Sequence, residues 1–173
     1  AVNISSRLEK INIFHEIELS TLIIDYSGYG KSEGKPTEEN LYQDGLAAYE
    51  HAIKELNVDP KQLILYGESL GTAVAIEIAR QKEIGGLILE SPFTSLKGIS
   101  KLHFPMLAPI AGDKYNNLKK ISEIKAPKLF IHSKEDEICP FDHALQLLEA
   151  ATEPKEKLWF EKGGHNDGFW VNK

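Results

Sequence analysis

The stretch Leu63-Ile64-Leu65-Tyr66-Gly67-Glu68-Ser69-Leu70-Gly71-Thr72-Ala73-Val74-Ala75-Ile76 decides the fold. An apolar β-type run enters Gly-x-Ser-x-Gly, and an Ala-rich helical run leaves it. That is the strand–turn–helix setting a nucleophile elbow requires. Gly67 and Gly71 are read as positions where a side chain would crowd a turn that folds closely on itself. Such a turn lifts the Ser69 hydroxyl above the sheet. It also aims the free N–H groups of the helix N-terminus at any developing anion. The five-residue pattern alone is weak; the strand before it and the helix after it carry the reading. The plain alternative is a Gly-rich turn with an inert serine.

The chain has 173 residues, enough for one domain with a sizeable core, and residues 1–173 are read as that domain. At 42% hydrophobic and 27% charged it is globular rather than disordered. The net charge of −6, with no run of Lys and Arg, argues against nucleic acid as the main partner. Cys139 is the only cysteine, so no intrachain disulfide can form. A reducing, cytoplasmic compartment fits that usage. No apolar run approaches the roughly 20 residues that span a bilayer, and no signal peptide is visible.

Away from the elbow, residues 4–14 carry Ile4, Leu8 and Ile11 at helical spacing, with Asn3 or Ser5 as cap. Leu19–Asp25 reads as a short buried strand. The run from Tyr26 to Pro36 holds three glycines and a proline and reads as a loop. Thr37 caps a helix that opens with Glu38 and Glu39 and carries Leu46, Tyr49 and Ile53 on its apolar stripe. Gly45 inside that helix points to a close packing contact. Further strands are predicted over 62–66, 86–90, 128–132 and 157–160, and further helices over 72–81 and 141–151. Short strands alternating with longer helices predict a three-layer α/β/α sandwich around a mostly parallel sheet. Residues 91–125, broken by Pro92, Pro105 and Pro109, are too long for a simple connection. They read equally as a partner-binding surface or small lid over the strand ends and as a structural cap over the core.

A serine hydroxyl needs a base to take its proton, and the base needs a carboxylate to orient it. In this fold the order along the chain is Ser, acid, His. Glu135, Asp136 and Glu137 follow one predicted strand, and His165 follows another after Gly163-Gly164. All lie at strand C-terminal ends, where open parallel sheets build their sites. The residues alone leave the choice among the three acids open. Asp167 is expected to cap the following turn. His132 ends a strand near the acids and stands as a candidate neighbour of the site; the remaining histidines show no metal-ligand spacing. Cys139 reads as a small buried residue rather than a nucleophile.

These motifs resemble the α/β-hydrolase superfamily over essentially the whole chain. The run Asp25 to Gly34 is similar to its Asp-x-x-Gly-x-Gly-x-Ser-x-Gly segment. Glu90-Ser91-Pro92-Phe93-Thr94-Ser95-Leu96 is similar to a segment of the Bem46-like and ABHD17-like serine hydrolases. His132-Ser133-Lys134-Glu135-Asp136-Glu137-Ile138-Cys139-Pro140 matches the family's His-Gly-x-x-Asp-x-x-Val-Pro acid loop, with Ser133 in place of the usual glycine. That match selects Asp136 as the acid. Gly164-His165-Asn166-Asp167 is similar to the histidine loop.

The resemblance implies a serine hydrolase acting on carboxylic esters or acyl thioesters, small molecules or acylated proteins. Ser69 would be the nucleophile, His165 the base, Asp136 its orienting acid and the Leu70 backbone N–H an oxyanion donor. It implies neither metal nor organic cofactor. Its relatives also carry a His-Gly-Asn loop and further strands ahead of the first helix, and that loop holds a second oxyanion donor. The expectation is therefore an N-terminally truncated α/β-hydrolase fold, or a sheet that closes without the missing strand. An anchor upstream of Ala1 is compatible with it. A silent hydrolase fold used for binding, and a serine peptidase, are the alternatives.

Overall fold

A computed structural model of the chain describes residues 3–103 and 112–172. Residues 104–111, part of the expected cap, lie outside the described residues. The chain divides into two compact units, Ala1–Val58 and Asp59–Lys173.

In the first unit a 3₁₀ turn, Ile4–Arg7, runs into helix α1, Leu8–Glu16. The Asn3 side chain accepts the Ser5 N–H at 3.0 Å and caps the turn. Helix α1 buries no residue, and Leu8 is 62% exposed, so the predicted apolar stripe is not a core face here. Helix α2, Glu38–Lys54, is capped by Thr37, whose hydroxyl accepts the Asn40 N–H at 3.2 Å. Leu41, Gly45, Tyr49 and Ala52 repeat at helical spacing and form its buried face. Asp44 reaches from α2 to the preceding loop and accepts both the backbone N–H and the hydroxyl of Ser27, at 2.6 and 3.0 Å.

The predicted strand over Leu19–Asp25 does not form. These residues belong to no strand, and 19–23 are exposed. The composition favours β structure, but a strand exists only when its N–H and C=O groups meet a neighbouring ladder. Among the described residues no such ladder pairs with 19–25.

The second unit is built on four strands in the order β1-β2-β3-β4: Ile64–Glu68, Gly86–Glu90, Lys128–Ser133 and Lys155–Phe160. Every pairing is parallel. Strand β1 starts two residues later than predicted. Asp59 caps a 3₁₀ turn over Pro60–Gln62, which withdraws Gln62 from the ladder. The register pairs Glu68 with Glu90, Glu90 with Ile131, and Ser133 with Phe160. The strands thus finish side by side, and the residues after them share one edge.

Helix α3, Leu70–Gln81, packs on β1 and β2; α6, Phe141–Ala150, packs on β3; the short α5, Asn117–Lys120, sits against both helices. Leu87, Leu89 and Phe130 of the sheet, Ile76 of α3, and Ala144 and Leu147 of α6 are buried in a core from which water is excluded. Glu77 of α3 is also buried. Burial pushes its carboxyl up, but bonds from Lys120, Arg80 and Gln81 outweigh that and hold it below the usual range. Helix α4, Leu96–His103, follows β2, and α7, Gly168–Val171, closes the chain.

Candidate active site

Ser69 stands between β1 and α3 with φ 53° and ψ −119°. A positive φ is uncommon outside glycine and is held only where the surroundings enforce it. Two ties enforce it. The Ser69 N–H donates to the Glu90 carbonyl at 2.9 Å, continuing the β1–β2 ladder one residue further. The Ser69 carbonyl accepts the N–H and the hydroxyl of Thr72, at 3.0 and 2.6 Å. Gly67 makes the turn sterically feasible, because a Cβ there would stand 2.5 Å from the Gly71 carbonyl oxygen. Leu70 opens α3, and among the described residues no acceptor takes its N–H.

The loop after β4 carries His165 back to this edge. Its Nε2 lies 2.9 Å from Ser69 Oγ, and its Nδ1 lies 3.0 and 2.8 Å from the two oxygens of Asp136. A carboxylate can only accept, so the ring proton belongs on Nδ1. Nε2 is then an acceptor facing the serine hydroxyl. The structure thus brings Ser69, Asp136 and His165 into one chain of hydrogen bonds. The Asp136 side chain is wholly buried, and that of His165 is 6% exposed.

Asp136 is held from several sides. Its Oδ1 accepts the N–H groups of Ile138 and Cys139 at 2.9 and 2.7 Å, and the Ser91 hydroxyl also bonds to it. Burial pushes this carboxyl up, but the bonds from His165, Cys139 and Ser91 outweigh it and hold it below the ordinary range. Ser91, the first residue after β2, is itself buried with φ 49°. Two serines in strained conformations thus follow the adjacent ends of β1 and β2. The second lies in a segment the sequence marked by resemblance, but its strained turn and its bond to Asp136 were not legible there.

His132 lies behind the acid, fully buried, with Nε2 donating to the Cys139 carbonyl at 2.8 Å and standing 3.4 Å from Asp136 Oδ2. Burial lowers its pKa, although the Cys139 carbonyl and the Asp136 charge pull the other way. Cys139 is buried as expected. Burial and the Asp136 charge push its thiol up to about 12, while a bond with Ser69 opposes them. It is a neutral neighbour of Ser69 rather than a second nucleophile.

One expectation about the loops needs correction. Asp167 is the residue before α7, but its side chain does not cap that helix; it reaches back to accept the Gly164 N–H at 2.5 Å. Ser133, the departure from the family's glycine, bonds across to the histidine loop. Its hydroxyl donates to the Gly163 and Lys162 carbonyls, the latter at 3.1 Å. Among the described residues no group of three His, Cys, Asp or Glu side chains is placed to hold a metal ion.

A parallel sheet with a strained serine between strand and helix, facing a histidine and an acid from later strand ends, defines an α/β hydrolase. Comparison with known proteins agrees. The family model described as "Serine aminopeptidase, S33" (Hydrolase_4) matches residues 8–120. Human alpha/beta hydrolase domain-containing protein 17B is 40% identical over 158 residues, 91% of this chain and 54% of that protein. An α/β hydrolase from Vibrio vulnificus superposes with a TM-score of 0.83 at 20% identity, over 98% of this chain and 66% of that one. A monoacylglycerol lipase from Paleococcus ferrophilus gives 0.75 at 18% identity, over 99% and 87%. At these identities the two structures show the shared fold. The chain belongs to the α/β-hydrolase superfamily, in the Hydrolase_4 family and close to its ABHD17-like and Bem46-like members. It spans about half the length of the curated relatives it matches.

Proposed function

We propose that this chain carries the catalytic residues of a serine hydrolase that cleaves carboxylic esters or acyl thioesters. The observation that carries the reading is the 2.9 Å approach of His165 Nε2 to Ser69 Oγ, with Nδ1 bonded to Asp136. Ser69 Oγ attacks the carbonyl carbon while its proton passes to His165 Nε2. Asp136 keeps the ring in the correct tautomer and stabilises the imidazolium. The carbonyl oxygen becomes an oxyanion at the N-terminus of α3, where the Leu70 N–H donates to it. The intermediate collapses, the carbonyl–heteroatom bond breaks, and His165 returns its proton to the departing alcohol or thiol. Water, deprotonated by His165, then attacks the acyl carbonyl; the acyl–Oγ bond breaks, His165 returns the proton to Ser69 Oγ, and the acid is released.

Substrates of this reading are small esters or acylated proteins. A second oxyanion donor comes, by resemblance to the family, from a loop ahead of α1. Loss of one donor costs about 10²–10³ in rate, so activity belongs to the whole protein. A cytoplasmic location is part of the proposal and rests on the single cysteine. No helix among the described residues is long and apolar enough to cross a membrane. A peptidase is the second reading, favoured by the aminopeptidase description of the matching family. The test is a panel of p-nitrophenyl esters from acetate to long acyl chains, acyl thioesters and aminoacyl p-nitroanilides, run on the full-length protein and its Ser69→Ala variant. Ester or thioester turnover that Ser69→Ala abolishes supports the proposal. Turnover confined to the anilides selects the peptidase, and turnover that survives Ser69→Ala rejects both.

A further inference from the structure

The acid loop and the histidine loop meet through more than Asp136. Three consecutive backbone N–H groups of the histidine loop each find a different carboxylate. Gly163 N–H donates to Glu135 Oε2 at 3.1 Å, Gly164 N–H to Asp167 Oδ1 at 2.5 Å, and His165 N–H to Glu137 Oε2 at 3.0 Å. The neighbours of Asp136 on both sides therefore grip the backbone of the histidine loop, Glu137 at His165 itself and Glu135 two residues before it. From these contacts we propose that Glu135 and Glu137 are positioning residues, which set the His165 backbone so that its ring reaches Ser69.

The glycines give this arrangement a second, independent support. Gly163 has φ 92°. A Cβ on Gly164 would stand 2.5 Å from Glu137 Oε2, so only glycine leaves room for that carboxylate to approach the chain. Gly164 makes the clamp sterically feasible, and Gly163 supplies the left-handed turn. A loop with two glycines has wide backbone freedom, and fixing it costs entropy. The Asp136 contact fixes the ring at Nδ1 but leaves the His165 backbone free to pivot. The Glu137 bond removes that freedom at the residue itself.

This inference rests on the serine-hydrolase reading, so its test reads position as well as turnover. Full-length Glu137→Ala, Glu137→Gln, Gly164→Ala and the Glu137→Ala/Gly164→Ala double variant are compared with wild type on a p-nitrophenyl ester. Glu137 is exposed, so its replacement leaves the core intact. Displacements near 1 Å cost up to about 10² in rate; loss of one of several restraints should lower kcat about 10-fold, with KM within about twofold. Gly164→Ala, by pushing the carboxylate away, should show the same loss, and the double variant should be no worse than either single one. Glu137→Gln keeps an acceptor oxygen and should recover kcat to within about threefold of wild type. Amide exchange at His165, read by mass spectrometry or NMR, should quicken in Glu137→Ala and not in Glu137→Gln. Wild-type kcat and exchange in Glu137→Ala would overturn the inference. So would a Gln variant as slow as Ala, which would mark charge rather than position, or additive losses in the double variant. Turnover persisting in Ser69→Ala would sink the serine reading alone, and the exchange rates would still decide the clamp.

Discussion

Replacing Asp136 with Asn isolates what the acid does for His165. The carboxylate takes four kinds of bond: the Ile138 and Cys139 N–H groups on Oδ1, the Ser91 hydroxyl, and His165 Nδ1 across both oxygens. Asn keeps its carbonyl oxygen where the two loop N–H groups demand an acceptor. Its amide NH₂ then takes the Oδ2 position, 2.8 Å from His165 Nδ1 and 3.4 Å from His132 Nε2. His132 Nε2 already carries the proton it donates to the Cys139 carbonyl, so it offers no acceptor. The NH₂ can only donate to His165 Nδ1, and at 2.8 Å it is nearer than the carbonyl oxygen 3.0 Å away, so the ring proton moves to Nε2, towards Ser69. A base that carries a proton on its reacting nitrogen cannot take the serine's. The expected loss is about 10⁴ in kcat, equivalent to about 5 kcal/mol of transition-state stabilisation. The loop bonds survive, so stability should fall by no more than about 1–3 kcal/mol. Steady-state hydrolysis of a p-nitrophenyl ester measures the first and urea unfolding the second. A folded Asp136→Asn protein retaining more than about a tenth of wild-type kcat would refute the tautomer argument.

Two further outcomes follow from packing and charge. Phe130 on β3 is fully buried, so Phe130→Ala should cost about 3–5 kcal/mol through lost transfer energy and a residual cavity; a loss below about 1 kcal/mol in urea unfolding would show that the site collapses. His132 and His143 are both lowered by burial. Asp136 and Glu90 oppose this at His132 while His165 adds to it; at His143, His132 adds to it and Asp142 opposes it. A histidine with a lowered folded pKa is protonated first in the unfolded chain. Stability is then insensitive to these groups above their ordinary 6.5 and falls as pH drops below it, at about 1.4 kcal/mol per pH unit for each. The Asp136 contribution runs in the same direction but begins lower: it is complete above the ordinary 3.8 and lost as pH falls through the lower folded value. Urea midpoints at about pH 7.5 and about pH 5.5 check this. Equal midpoints, or a His132→Asn/His143→Gln variant with the same decline as wild type, would contradict it.

What was legible in the sequence was what is local. Gly67-x-Ser69-x-Gly71 between an apolar run and an Ala-rich run marks a turn whose geometry neighbouring residues impose. Residues at strand C-terminal ends share an edge once the strands are parallel, so Asp136 and His165 could be placed near Ser69 without knowing the sheet order. Leu19–Asp25 was misread because composition reports the preference for a strand, whereas the strand itself needs a partner ladder. The start of β1 was misread because Pro60 and the Asp59 cap hold a 3₁₀ turn that periodicity does not register. Glu135 and Glu137 looked like spare members of an acidic turn. Their bonds run to residues 28 positions away, and no local pattern encodes which carboxylate meets which N–H. Ser91 and Cys139 lie within quoted motifs, and Cys139 was legible as buried, but their bonds to the site were not; they reach it through β2 and the acid loop.

The central claim is that Ser69 is a nucleophile activated by His165. A fluorophosphonate probe incubated with the full-length protein, followed by intact mass and peptide mapping, tests it most directly. The predicted result is one covalent adduct on Ser69, absent from Ser69→Ala and greatly slowed in His165→Ala. An unlabelled wild-type protein, or a Ser69→Ala variant labelled as fast as wild type, would contradict the claim.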